Sequence, residues 1–222
     1  MVEQFNINKI SKSGAKFSLG KLEFLNQMHI REQFSYVEGN TQEMTESVNA
    51  WRKMLLTEMP RNLHTLIKKM PALKLIKVMD MMKIRMRYIK DIRNHAYFFT
   101  APSYETELGI KFIAKLKQPP LVSKEILSDL HKAMNKIPQK EFSAESLNKA
   151  CSVYLYNQSK QGGLTLKNED VFFLFRYAIT GNPVGAPIGE ISEVIGKSEV
   201  LQRLEDAQSV LEEYSKKKAK AN

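Results

Sequence analysis

Apolar residues return every three or four positions along almost the whole chain, and no stretch keeps the period-two alternation of a half-buried strand. That spacing predicts an all-α fold with prolines and glycines as punctuation. Ser18 is placed to cap a helix that carries Leu22, Leu25 and Ile30 on one side and ends near Gln33. Thr41 or Thr45 can open the next, in which Val48, Trp51, Leu55 and Met59 recur before Pro60 interrupts, and a short helix then runs to Met70. Pro71 suits a first helical position, and residues 72–95, without Gly or Pro, predict one long helix rich in Met, Lys and Arg. Tyr97-Phe98-Phe99 and Pro102 end it.

Shorter helices are expected at residues 104–117, at 124–136 behind Ser123, at 144–158 behind Ser143, and at 168–179. A short one ending at Gly196 and a last one with the stripe Leu201, Leu204, Leu211 and Tyr214 complete the set. Gln161-Gly162-Gly163 reads as a turn, and residues 216–222 as a basic tail, frayed and solvated. Pro119-Pro120 places the subdomain boundary at residues 117–122, dividing a linker (1–17) and a first helical region (18–118) from a second (119–215).

With 43% hydrophobic side chains, 222 residues can bury one large core or two small ones. Lys and Arg number 34 against 24 Asp and Glu, a formal charge of +10, so the expected partner is a polyanion: nucleic acid first, an acidic membrane surface second. Between Trp51 and Arg93 the basic residues outnumber Glu58, Asp80 and Asp91 four to one, and this region holds nearly all of the excess. It can be an RNA-facing surface or simply a solvated lysine face. Arg85 and Arg87 are the better candidates for base contacts, because a guanidinium bonds in a fork and stacks; Lys77, Lys83 and Lys90 suit the phosphate backbone. No apolar run approaches the roughly 20 residues of a membrane span. Cys151, the only cysteine, reads as core filler, and the first residues have neither signal-peptide nor transit-peptide character.

No residue pattern supports catalysis. Lys9-Ile10-Ser11-Lys12-Ser13 imitates a phosphate-holding KMSKS loop, but such a loop works beside a nucleotide-binding fold, and only eight residues precede it. His29, His64, His95 and His131 are dispersed, with no partner at metal-ligand spacing.

Two blocks are less generic. Ser11-Lys12-Ser13-Gly14-Ala15-Lys16-Phe17, followed by Lys21-Leu22-Glu23-Phe24-Leu25-Asn26 and Ile30, resembles the segment just after the catalytic domain of bacterial-type and organellar glutamyl-tRNA synthetases. Phe175-Arg176-Tyr177-Ala178-Ile179-Thr180-Gly181, then Pro187-Ile188, Glu190-Ile191 and Val194-Ile195-Gly196-Lys197, resembles that family's terminal R-x-A-L-T-G…P-x-x-E-I…L-G-K block. Tyr97-Phe98-Phe99 sits where the family has an aromatic cluster, and the likeness spans roughly residues 5–210.

The resemblance implies a helical stem-contact domain that touches the inner corner of tRNA, followed by a helical anticodon-binding domain. It implies anticodon contacts from Arg176, Gly185, Ala186 and Ile188, with Thr180 and Gly181 shaping the turn or acting only as a helix cap. Gly185-Ala186 stand where a bacterial relative can have Thr-Pro, which favours backbone contacts there. An arginine before the aromatic cluster reads an anticodon base in the family; Arg85 is the match and Arg87 the alternative. The aromatic triplet can stack on an unpaired base or belong to the core, and Trp51 is expected in the core. The implied partner is tRNA for Glu, with tRNA for Gln open. No cofactor is expected here, since ATP and Mg would belong to a catalytic domain outside this segment, and the segment alone should not be active. A monomer is expected, in the mitochondrial matrix, or in the cytoplasm if the source is bacterial. The other reading is a free-standing helical RNA-binding or assembly protein descended from such a domain.

Overall fold

The computed structural model describes residues 18–35, 39–160 and 166–221. Among them there is no strand. The α-helices are α1 (Leu19–Gln33), α2 (Thr41–Glu58), α3 (His64–Lys69), α4 (Ala72–Lys83), α5 (Glu107–Ile113), α6 (Pro120–Asn135), α7 (Ala144–Lys160), α8 (Asn168–Thr180), α9 (Ile188–Ile195) and α10 (Lys197–Ala221). Short 3-10 turns precede α3 and α7, and a longer 3-10 segment, Ile89–Phe98, follows α4. The KISKS sequence, the first resemblance block up to Phe17 and the expected turn at 161–163 lie outside the described residues.

Side-chain caps place several helix starts, and prolines others. Ser18 Oγ accepts from the backbone N–H of Lys21, as expected. The α2 cap is instead Asn40, whose side chain accepts from Glu43 N–H at 3.2 Å. Thr45, offered as a cap, donates to the Thr41 carbonyl at 2.8 Å and so lies inside the helix. Helix α6 starts at Pro120, ahead of the expected Ser123: proline at the first turn has no amide to leave unpaired, and the buried Ser123 hydroxyl donates to Gln118 O at 3.2 Å. Helix α5 is shorter than the expected 104–117. Thr106 caps it, while the Tyr104 hydroxyl is drawn into the core and donates to Ala178 O at 2.5 Å.

The largest departure is the expected 72–95 helix, which stops at Lys83. Asp91 Oδ2 accepts from the backbone N–H of Arg87 and of Tyr88, at 2.9 Å each, so those amides serve a side chain and not the preceding turn. On the carbonyl side, α1 completes the break. Gln27 Nε2 and Arg31 Nη2 donate to Ile84 O at 2.9 and 3.2 Å, and Asn26 Nδ2 donates to Arg87 O. The last carbonyls of a helix need partners outside it, and α1 supplies them here.

The buried side chains form one continuous cluster, with Trp51 against Phe34 (centroids 4.4 Å apart) near one end and Leu127, Leu130, Leu204 and Leu211 where α10 packs along α6. Cys151, Trp51 and the aromatic triplet Tyr97, Phe98 and Phe99 are all buried in it. Helix α9 packs on α7 and also touches α4 and the 3-10 segment, bringing residues 188–195 against residues 72–98. Helix α1 departs from its expected amphipathic role: Ile30 is buried, whereas Leu22 and Leu25 are 46% and 60% exposed. The last helix continues to Ala221, through the lysines expected to fray.

Candidate nucleic-acid interface

Helix α8 ends at Gly181, whose left-handed backbone (φ 60°) lets its N–H close on Tyr177 O at 2.9 Å. Thr180 fixes the exit. Its hydroxyl lies 2.9 Å from Arg176 O and accepts from Asn182 N–H at 3.1 Å. Asn182 then fastens the loop in two directions, accepting from Val184 N–H at 3.2 Å and donating to Asn94 O at 3.3 Å. Gly181 is thus the C-cap of α8, and the Thr180 hydroxyl bonds on both sides of it.

From inside this loop Arg176 Nη2 donates to Ala186 O at 2.8 Å. Its Nη1 is buried and has no hydrogen-bond partner. Burial holds the Arg176 guanidinium below its usual pKa, Tyr97 raises it, and the neighbouring Arg85 charge lowers it further. Gly185 covers this group. A Cβ added there would stand 2.9 Å from the Tyr97 hydroxyl and 3.3 Å from Arg176 Nη1, and its φ of 151° already favours glycine. The Tyr97 hydroxyl lies 2.8 Å from His95 Nδ1. Burial pushes His95 down to about 4 and Tyr97 up to about 12, so both are neutral at pH 7.

The structure thus gathers Arg85, Arg176, Gly185 and Ala186 around Tyr97 and His95. Arg85 Nη1 donates to Met81 O at 2.5 Å, and its charge is felt by His95, Tyr97 and Arg176. Ala186 and Ile188 are 0% and 5% exposed as whole residues, and the Ala186 carbonyl is already held by Arg176, so of these loop positions Gly185 is the one that is exposed. By sequence Tyr97 is offered only as part of a triplet that stacks on a base or belongs to the core, and His95 not at all as a site residue. Residues two apart do not meet on a helix, and they meet here because His95 leaves helical angles (φ −118°, ψ 25°).

The backbone-contact candidates are less free than the charge count suggests. Lys77 pairs with Glu193 at 2.8 Å, Lys83 with Asp80 at 2.8 Å, and Arg87 with Glu23 at 3.2 Å. Lys90 instead sits over the Tyr88 ring, 5.3 Å from its centroid. Among the described residues no group of His, Cys, Asp or Glu could hold a metal ion. Nor is any helix among the described residues long and apolar enough to cross a membrane.

The family model described as "Anticodon binding domain" matches residues 43–208. Curated relatives include the glutamate-tRNA ligases of Finegoldia magna, 26% identical over 206 residues (92% of this chain, 36% of the relative), and of Desulforamulus reducens, 29% identical over 209 residues (92% and 38%). The chain therefore spans a little over a third of the length of the curated relatives it matches. Two solved structures share the fold. A glutamate tRNA ligase from Elizabethkingia meningosepticum, solved with its amino acid, aligns with a TM-score of 0.69 at 23% identity, over 95% of this chain and 36% of that one. The glutamate-tRNA synthetase of Elizabethkingia anophelis gives 0.63 at 24%, over 94% and 35%.

Proposed function

This chain belongs to the anticodon binding domain family, and from that premise we propose that it holds the anticodon arm and inner corner of tRNA for glutamate. In this reading it positions the tRNA for a glutamate-tRNA ligase whose catalytic domain, with its ATP and Mg, lies outside the segment. The chain's own contribution is placement without chemistry. The observation that carries the reading is the convergence of Arg85 and Arg176. They are far apart in sequence, close enough for one charge to depress the other, and Arg176 keeps a buried donor unpaired. Two cations held together without a bridging carboxylate cost free energy, which an electronegative ligand would return.

The division of labour follows. Arg85, Arg176 and the backbone of Gly185, Ala186 and Ile188 face the anticodon; Lys77, Lys83, Arg87 and Lys90 face phosphates, exchanging their carboxylate partners where they have them. The stem-contact portion precedes the residue 117–122 boundary and the second anticodon-binding portion follows it. The mitochondrial matrix, or the cytoplasm for a bacterial source, is the proposed compartment, and cell fractionation tests it.

The decisive measurement is a binding competition between transcripts of tRNA for Glu, for Gln and for an unrelated amino acid. Preference for the Glu transcript, with or without the Gln one, is expected. Equal affinity for all three would defeat the reading and favour a general RNA-binding protein.

A further inference from the structure

Helix α1 turns its polar side to the protein and its apolar side to solvent. Gln27 and Arg31 donate to Ile84 O, Asn26 donates to Arg87 O, and Glu23 accepts from the Tyr88 hydroxyl and pairs with Arg87, at 3.2 Å each. Ile30 is the one buried residue of this helix. Leu19, Leu22, Phe24, Leu25 and Met28 stand 45% to 68% exposed, and steps of three and four residues set them side by side. Among the described residues no other helix exposes more than two large apolar side chains. Single apolar side chains at a surface are ordinary, whereas a contiguous row marks a contact.

The charge on this helix narrows what the row contacts. Lys21 and Glu32, one of each sign, are its only fully exposed charged side chains. A helix that lies on phosphates or in a lipid interface carries a row of Lys and Arg, so the occupant here is polypeptide. Helix α1 has 15 residues, so its face is ~22 Å long and ~10 Å wide. Two free subunits that associate stably bury about 800 Å² each, more than this face offers, which argues against a second copy. A partner joined to the same chain escapes that requirement, because the tether keeps its local concentration high.

The matches to the ligases span a little over a third of those proteins and more than nine-tenths of this chain, so the larger part of each relative lies beyond one end or the other of the matched stretch. Of the two end helices, α10 finishes in the exposed lysines 216–218, and α1 carries the apolar row. Resting on the ligase reading above, we infer that the outer face of α1 seats the catalytic domain of the ligase, gripped by Leu22, Phe24, Leu25 and Met28. The inner face then acts as a bracket. Its bonds to Ile84, Arg87 and Tyr88 fix the seated domain relative to the segment that carries Arg85 and Lys90.

The test uses thiol labelling. Cys151 is buried and is the only cysteine, so Leu25→Cys gives the full chain one reactive sulfur on the row, and Val153→Cys gives one on α7, away from it. Maleimide labelling of each variant is timed in the free chain, at rising chain concentration, with vesicles of phosphatidylcholine and phosphatidylglycerol, and in the chain joined in frame behind the catalytic portion of the Finegoldia magna ligase. In the joined protein Leu25→Cys should label about tenfold more slowly, as a seated state favoured ten to one requires. Val153→Cys should keep one rate throughout. Equal rates for Leu25→Cys in the free and joined chains overturn the inference. Slowing at rising concentration gives the face to a second copy, and slowing by vesicles gives it to lipid; either also overturns it. The transcript competition, run on the free Leu25→Cys chain, keeps the two readings apart. Preference for the Glu transcript with unslowed labelling removes the seat alone, and equal affinity for all transcripts with unslowed labelling removes both.

Discussion

Arg203, only 2% exposed, donates from Nη2 to the carbonyl oxygen of Thr100 at 2.9 Å, so α10 holds the end of the segment that carries His95 and Tyr97. The same guanidinium donates from Nη1 to Ile179 O at 2.7 Å, just before the loop at Gly181, and from Nε to Glu199 at 2.8 Å. Replacing Arg203 with methionine roughly keeps the volume and removes the donor from the buried Ile179 carbonyl and from the part-buried Thr100 carbonyl. A loss of about 3 kcal/mol is expected. A denaturant midpoint that does not move would show that water or neighbouring groups already satisfy these carbonyls.

His95 makes stability depend on pH with a definite sign. Burial lowers its folded pKa from 6.5 to about 4, so between these values the unfolded chain binds a proton that the folded chain refuses. Stability should fall as pH drops through that window and level off below it. Asp91 opposes the shift, Arg85 adds to it, and the neighbouring Tyr97 stays neutral. Glutamine at position 95 should remove roughly 2 kcal/mol of the pH 7 to pH 4 difference. Thermal melts of the two proteins across that range provide the comparison, and parallel curves would contradict the assignment.

The lysines on α4 and beyond should not be equivalent toward RNA. Lys90 has no carboxylate partner among the described residues, whereas Lys77 is paired with Glu193. Lys90→Ala should weaken every tRNA by the same factor and flatten the slope of log affinity against log salt by about one. Lys77→Ala should do so less, because releasing Lys77 to a phosphate first costs its pair. Equal slopes for the two variants would mean that the Glu193 pair has no influence in the complex.

Gly181→Ala tests the loop at its hinge. The added Cβ meets Pro102 Cβ at 2.9 Å, in a left-handed conformation that already costs a side chain about 1–2 kcal/mol. A destabilisation of about 2 kcal/mol is expected by calorimetry. Because Asn182 and Asn94 are joined next to this turn, the variant should also weaken tRNA discrimination more than overall tRNA affinity. Retention of full discrimination would separate the turn from the interface.

Some of this was legible in residues. Ser18, the aromatic triplet, Trp51, Cys151 and the Gly181 exit could be read because a cap, a core anchor or a left-handed glycine is written within a few positions of itself. The 72–95 helix was misjudged for the opposite reason. No proline or glycine breaks it, and the break is made by Asp91 and by three side chains of α1 that lie some fifty to sixty residues away. Counting charges overstated the free basic surface, since Glu23, Asp80 and Glu193 cannot be assigned to partners from composition.

By itself, then, the sequence determined the helical class, the order of most helices, the sign of the charge and the blocks that resemble a tRNA-synthetase family. These rest on periodicity and capping, which act over one or two turns of chain. Tertiary structure decided where α4 stops, which cations are neutralised, and that His95, Tyr97, Arg176 and Gly185 come together. Those outcomes depend on groups distant in sequence coming within a few ångströms, where hydrogen bonding and Coulomb forces become strong enough to choose among local alternatives.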